Sequence, residues 1–170
     1  SDPDISLFGS GMFMSGRHIV VSHLAGLSTP QQVQMAFFSL FAIVDKDDRY
    51  KKLTNDICRR RKKLLFDGLG IEIKEDPYDA AYYTQFDLLE WANRNYNDEF
   101  AAYLQQNYKP VDILIQLAEQ SSIVLLDGGG FNAPEWSIRI SLANLRDELY
   151  SKIGENLLNV LETYATRWRE

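Results

Sequence analysis

A glycine-rich loop followed by a short alternating segment constrains this chain more than any other part of its sequence. Residues 127–145 read DGGGFNAPEWSIRISLANL, so three glycines and a proline precede an alternating run. Successive side chains of a strand point to opposite faces, and one face of this run is wholly apolar. That face carries Trp136, Ile138, Ile140 and Leu142. The sequence therefore predicts a half-buried strand whose second face presents Arg139 between Ser137 and Ser141.

The arginine of this strand is a candidate receptor for a carboxylate. Its planar guanidinium matches two carboxylate oxygens at once, and its small neighbours leave space above it. An arginine on a solvated sheet face would give the same pattern, and the residues alone leave both interpretations open. The glycines do not fit a phosphate-binding loop, because a proline and a strand follow them. They are expected to allow a turn and a close approach of the backbone to a ligand. The candidate residues lining such a site are Gly129, Gly130, Phe131 and Asn132.

The register Arg139, Ser141, Ala143 resembles the C-terminal R-x-S-x-A signature of the class I aminotransferases, which are pyridoxal-phosphate enzymes of fold type I. Two longer blocks, LSTPQQVQMAFFSLFAI and LLDGGGFNAPEWSIRISLANL, are similar to the aspartate 4-decarboxylase branch of that family. Enzymes of this branch also have aspartate aminotransferase activity. The resemblance implies that Arg139 binds the α-carboxylate of the substrate, with aspartate and 2-oxo acids as substrates and pyridoxal phosphate as cofactor.

The same resemblance implies an α+β fold, the small C-terminal domain of a fold type I enzyme, with a three- to four-stranded sheet covered by helices. Residues 1–45 would be a trailing segment of the large cofactor-binding domain, and residues 46–170 the small domain that closes over the substrate. A homo-oligomer is expected. From their alternation or apolar character, the predicted strands are 71–74, 82–86, 123–126 and 136–142.

A lysine that binds the cofactor covalently, usually in an S-x-S-K-type segment, is not recognisable in this sequence. The eight lysines lie in helix-start, basic-run or surface-like contexts. The resemblance therefore implies a C-terminal fragment without catalytic residues of its own, inactive in isolation. Two alternatives stay open, namely a plain aspartate-type aminotransferase and a non-catalytic interaction domain.

Composition narrows the classes of partner. The 170 residues carry a net charge of −6, which argues against nucleic acid, and no apolar run is long enough to span a membrane. A single cysteine, Cys58, fits a reducing cytoplasm. His18 and His23 are five residues apart without a third ligand, so no metal site is expected.

Two further helices carry specific expectations. The first begins after Leu27, with Ser28 or Thr29 as its cap and Gln32 completing a capping box, and it is apolar nearly all round. Such a helix is typical of a buried or interface position.

The second helix is expected to start at Asp47 or Asp48 and to contain the basic run 59–63. Its predicted buried stripe is Leu53, Ile57 and Leu64. Within the run, Arg60 and Arg61 interrupt this stripe. This indicates either an interface, with the arginines snorkelling from it or pairing across it, or plain solvation.

Overall fold

The structure, a computed structural model, describes most of the chain. The described residues are 27–74, 76, 78–131 and 133–170, with the backbone alone at Phe131. They form two compact units, 27–50 and 51–170. Among these residues, no helix combines the length and the apolar character needed to cross a bilayer.

Helix α1, Thr29–Val44, dominates the first unit. Its entrance is fixed by the backbone N–H of Ser28, which donates to Oε1 of Gln31 at 2.7 Å. The prediction that Gln32 completes the capping box is wrong, because its side chain donates to the carbonyl of Leu27 at 3.0 Å. No residue of α1 is buried, so the apolar side chains on all its sides are exposed.

Helix α2 spans Arg49–Gly68. Its N-terminus is capped by the carboxylate of Asp45, which precedes the predicted caps in the sequence. The two oxygens of Asp45 accept from the backbone N–H groups of Arg49 and Tyr50 at 3.0 and 2.9 Å. Asp47 and Asp48 do not serve as the cap, because Asp48 adopts a left-handed turn with φ 53° and Asp47 pairs with the Arg49 side chain.

The face of α2 that packs against the core also differs from the predicted stripe. Its buried residues are Cys58, Leu65 and Phe66, whereas Leu53 is 58% exposed and Ile57 and Leu64 are only partly buried. A helix of this composition offers several apolar residues on different sides, and the position of its neighbours decides which side is covered.

Three short antiparallel strands form the sheet: β1 Tyr83–Asp87, β2 Leu126–Asp127 and β3 Ser137–Ser141. The spatial order is β1-β3-β2, which places β3 in the centre. The predicted strand at 82–86 is confirmed with a shift of one residue. Of the predicted strand 123–126, only Leu126 pairs with a neighbour.

The predicted strand at 71–74 is wrong, because it takes part in none of the strand pairings among the described residues. Gly70, with φ 69°, turns the chain after α2, and the N–H of Ile71 donates back to the carbonyl of Phe66 at 2.9 Å. Ile71 and Ile73 nonetheless pack against the core, while Glu72 and Lys74 are exposed. Alternation therefore gave the buried side of this segment correctly, but it carries no information about a hydrogen-bonded partner strand.

Four more helices cover the sheet: α3 Leu88–Asn95, α4 Asp98–Asn107, α5 Pro110–Ser121 and α6 Asp147–Arg169. Local caps set their starts. The carboxylate of Asp87 accepts from two N–H groups at 2.9 Å at the start of α3. At the start of α4, the side chain of Asn97 accepts from the N–H of Phe100 at 2.9 Å. The described residues thus have an α+β fold, as predicted.

The core lies between one face of the sheet and the long helix α6. All four predicted apolar residues of the central strand region are at most 8% exposed. Helices α2 and α6 cross at two glycines, Gly68 and Gly154. A Cβ at Gly154 would overlap the carbonyl oxygen of Leu65, and one at Gly68 would overlap that of Ser151. The two backbones therefore touch directly at this crossing, with no room for a side chain.

Candidate functional site

Arg139 occupies the middle position of the central strand. It lies directly across from Gln85 on β1 and from Leu126 on β2. Because alternate residues share a face, Arg139 projects from the side of the sheet opposite the core, together with Tyr83 and Gln85 of β1. The predicted division of this strand into an apolar face and an arginine face is confirmed.

A shallow, open cleft of about 550 Å³ runs in front of this face. Its lining residues are Lys62, Asp79, Tyr83, Thr84, Gln85 and Arg139. The cleft thus contains two cations and one carboxylate, and its floor is the sheet itself. An anionic group entering here would meet the guanidinium of Arg139 from the solvent side.

The guanidinium of Arg139 lies over an aromatic ring. Its Cζ is 4.0 Å from the ring centroid of Tyr83, within the range of a cation–π contact. Tyr83 pairs with Ser141 and not with Arg139 itself, so the contact is diagonal across the two strands. Diagonal neighbours on one sheet face are within reach of long and aromatic side chains.

The second cation of the cleft is held by an ion pair. Nζ of Lys62 donates to Oδ2 of Asp79 at 2.5 Å, and Oδ1 of Asp79 accepts from the N–H of Ala81 at 2.8 Å. The hydrogen bond from Lys62 holds the pKa of Asp79 below its ordinary value. The pair joins the loop before β1 to α2.

The glycine loop reaches the same strand from the β2 side. The N–H of Gly128 donates to the carbonyl of Ser137 at 2.8 Å, and a Cβ at Gly128 would overlap the Ser137 hydroxyl. Ser137 is consequently 2% exposed, and its hydroxyl donates to the carbonyl of Pro134 at 2.7 Å. Ser137 is therefore packed under the glycine loop and is not among the residues that line the cleft in front of Arg139.

Two of the four loop residues predicted to line the site lie fully within the described residues. Gly129 and Gly130 are exposed and do not appear among the residues that line the Arg139 cleft. The side chain of Phe131 and all of Asn132 lie outside the described residues. Their role as lining residues stays a prediction.

The basic run of α2 joins α2 to other parts of the fold. Nε of Arg60 and Nε of Arg61 donate to the two oxygens of Asp147 at 2.7 and 2.8 Å. Arg61 also donates to the carbonyl of Leu142 at 3.0 Å, directly after β3. Of the two interpretations left open for these arginines, pairing across an interface is the one observed. These hydrogen bonds hold the pKa of Asp147 below its ordinary value, Arg61 having the larger effect.

Sequence comparison connects this geometry to an enzyme. No protein-family model matches the chain. Over 153 residues, 90% of its length, the chain is 43% identical to a bifunctional aspartate aminotransferase and L-aspartate beta-decarboxylase from Pseudomonas sp.. The chain is a relative of this aspartate enzyme. It spans 29% of the length of that relative, in agreement with the expectation that it corresponds to one part of a longer protein.

The relationship to an aminotransferase and decarboxylase raises the question whether any lysine here suits pyridoxal phosphate. A lysine that reacts with an aldehyde needs a neutral amine and is usually desolvated. Of the eight lysines, seven are exposed, and the partly buried one, Lys62, is paired with the carboxylate of Asp79. Lys63 is paired with Asp67 at 2.9 Å. Each lysine is thus exposed or ion-paired, and the absence of the cofactor-binding lysine from this chain stays a prediction.

The residues that sequence reasoning missed at this site are Tyr83, Lys62 and Asp79. Tyr83 had a detectable signal, because its strand alternation already placed it with Gln85 on one face. Its contact with Arg139 depends on the register between β1 and β3, which no local pattern specifies. Lys62 and Asp79 are 17 residues apart, and only the turn after α2 brings them together.

Proposed function

We propose that this chain is the C-terminal, substrate-closing part of a pyridoxal-phosphate enzyme that acts on aspartate. In the full-length protein, aspartate would lose its β-carboxylate as carbon dioxide and be released as alanine, and a side activity would exchange the amino group with a 2-oxo acid. The proposal is supported by the relative's name and by the match to the R-x-S-x-A signature at Arg139.

The observation that carries the proposal is the position of Arg139 at the centre of the sheet, facing an open cleft. In this proposal its guanidinium binds the α-carboxylate of aspartate through two parallel N–H donors. Holding that end of the substrate orients the rest of the molecule toward the reacting groups. In this proposal the carboxylate enters through the cleft that Arg139 lines together with Tyr83 and Gln85.

Pyridoxal phosphate, when bound, supplies an electron sink for the bonds at the substrate's α-carbon. Since no lysine of this chain suits its covalent attachment, we propose that other parts of the longer protein hold it. On this view the chain alone is inactive, and Arg139 contributes to catalysis only within the whole enzyme. A homo-oligomer in the cytoplasm is the assembly and location we expect.

The test is Arg139→Ala in the full-length protein. Removing one partner from a desolvated charged pair costs roughly 2–5 kcal/mol, so kcat/KM for aspartate should fall by about 30-fold to several thousand-fold. Arg139→Lys retains the charge but loses the two-pronged geometry, and it should still impair turnover. Bound cofactor, measured by absorbance, should stay near the wild-type level. Normal turnover in Arg139→Ala would refute the assignment, and loss of the cofactor would make Arg139 structural.

A plain aspartate-type aminotransferase is a second candidate, because it would use the same arginine. The decarboxylase and the aminotransferase can be distinguished by the products that each forms from aspartate when no 2-oxo acid is present. The decarboxylase releases alanine and carbon dioxide under that condition, whereas the aminotransferase stops after one half-reaction. The exposed apolar surface of α1 favours a third candidate, a non-catalytic interaction domain, which would give neither product.

A further inference from the structure

We infer that Tyr83 is a positioning residue for Arg139, holding the guanidinium so that its N–H edge faces the cleft and receives a carboxylate. This inference rests on the proposed role of Arg139 and deepens it. It assigns a task to a side chain outside the R-x-S-x-A register, on a different strand.

The contact has the geometry that such a task needs. The Cζ of Arg139 lies over the ring of Tyr83 at 4.0 Å from its centroid, whereas the other described cation–π contacts in the chain span 5.0 to 5.6 Å. A guanidinium lying over an aromatic face is prevented from rotating into that face. In our inference, this restriction directs the in-plane donors along the cleft, where two carboxylate oxygens would meet them.

The ring is itself held from behind. Tyr82 contacts Tyr83 edge-on, with centroids 5.0 Å apart and ring planes at 70°. Directly across from Tyr83 on β3 is Ser141, whose buried Oγ has no hydrogen-bond partner among the described residues. On the other flank, Leu126 is opposite Arg139 and 51% exposed, so an apolar group borders the cation there too.

An arginine side chain loses conformational freedom about several bonds when it binds a ligand, and this loss of entropy weakens binding. Because the stack on Tyr83 already restricts the side chain of Arg139, part of that entropy is lost before the ligand binds. The expected signature is weaker binding of the substrate with little change in the chemical step. A cation–π contact at a partly exposed site accounts for about a 3- to 10-fold change in affinity.

The experiment compares Tyr83→Leu with Tyr83→Phe. In this chain, the Arg139 Nε–Hε resonance is assigned by NMR using Arg139→Lys, and its ring-current shift is measured. The shift should be retained in Tyr83→Phe and lost in Tyr83→Leu. In the full-length enzyme, Tyr83→Leu should raise KM for aspartate by about 3- to 10-fold with kcat nearly unchanged, and Tyr83→Phe should behave as wild type. Tyr78→Leu, which removes a tyrosine that is 94% exposed in the preceding loop, is the matched control and should alter neither readout.

Two outcomes overturn the inference. One is an unchanged KM in Tyr83→Leu, and the other is a defect of equal size in Tyr83→Phe, which would assign the effect to the hydroxyl. If Tyr83→Leu does not fold, Tyr83→Ile, whose branched side chain suits a strand, replaces it. Failure of the proposed function can be told apart from failure of this inference. Normal turnover in Arg139→Ala would show that Arg139 does not bind the substrate carboxylate, even if the ring-current shift shows that Tyr83 holds the guanidinium.

Discussion

Nε of Arg61 lies 2.8 Å from Oδ1 of Asp147, joining the middle of α2 to the first turn of α6. Arg60 binds the other oxygen of the same carboxylate, and Arg61 also binds the carbonyl of Leu142 and lies 5.6 Å from the ring centroid of Tyr150. The hydroxyl of Tyr150 donates to the carbonyl of Ser141 at 3.1 Å. One carboxylate thus helps to tie two helices to the end of the strand that carries Arg139.

This arrangement predicts a specific acid response. Because the pKa of Asp147 is lowered in the folded state, its contribution to stability is present at neutral pH. That contribution is lost as the pH falls below the ordinary value of 3.8 and through the folded-state pKa. Asp147→Asn should lower the melting temperature by a few degrees at neutral pH, and the difference from wild type should close in acid. Melting curves recorded across that range check this.

The control for Asp147 is Asp67→Asn, which removes the exposed pair with Lys63 within one helix. Pairs of this kind contribute little, so this variant should melt near the wild-type temperature. A gap between Asp147→Asn and wild type that persists unchanged in acid would contradict the ionic role of Asp147.

The crossing of α2 and α6 predicts that Gly154→Ala is destabilising. Helix propensity alone would favour alanine by about 1 kcal/mol. Overlap with the carbonyl of Leu65 forces the helices apart, at a cost of about 1–3 kcal/mol or more. The clash should prevail, lowering the urea midpoint. Lys152→Ala, on the exposed side of the same helix, is the matched control and should leave the midpoint nearly unchanged. A higher midpoint in Gly154→Ala would rule out the close crossing.

Because its lysines are exposed or ion-paired, we expect this chain alone to form no stoichiometric covalent adduct with pyridoxal phosphate. Exposed or ion-paired ammonium groups react weakly and without preference for one site. Borohydride reduction at equimolar cofactor, followed by intact-mass measurement, should show little adduct spread over several lysines. A full adduct on one lysine, absent when that lysine is replaced by arginine, would disprove the proposal that other parts of the protein hold the cofactor.

The exposed surface of α1 predicts that this chain self-associates. Phe37 and Phe38 are 66% and 60% exposed and lie among several other exposed apolar side chains of the helix. Contiguous apolar surface of this kind favours association in water. Sedimentation at high protein concentration should show a dimer or larger species, and replacing both phenylalanines by serine should shift it toward monomer. Tyr78→Ser serves as control. A monomer that is unaffected by either change would count against the prediction.

Much of the local structure could be predicted from the sequence, because it depends on neighbours along the chain. The two faces of β3 follow from the period of a strand, so Arg139 was expected on the side away from the core. The helix starts at Asn97 and Pro110 are local features of the same kind, because a capping oxygen and a fixed φ act within one turn. The alternation at 71–74 is local too, and its apolar members, Ile71 and Ile73, lie on the side of that segment that meets the core.

The tertiary structure decided everything that required a partner distant in sequence. Residues 71–74 alternate like a strand, yet they have no neighbouring strand to pair with among the described residues. Arg60 and Arg61 could equally have been solvated, and only the placement of Asp147 more than 80 residues later selects pairing. The contact of Tyr83 with Arg139 depends on the register of two strands over 50 residues apart. A local pattern fixes the direction in which a side chain points, whereas its partner is fixed by how the whole chain packs.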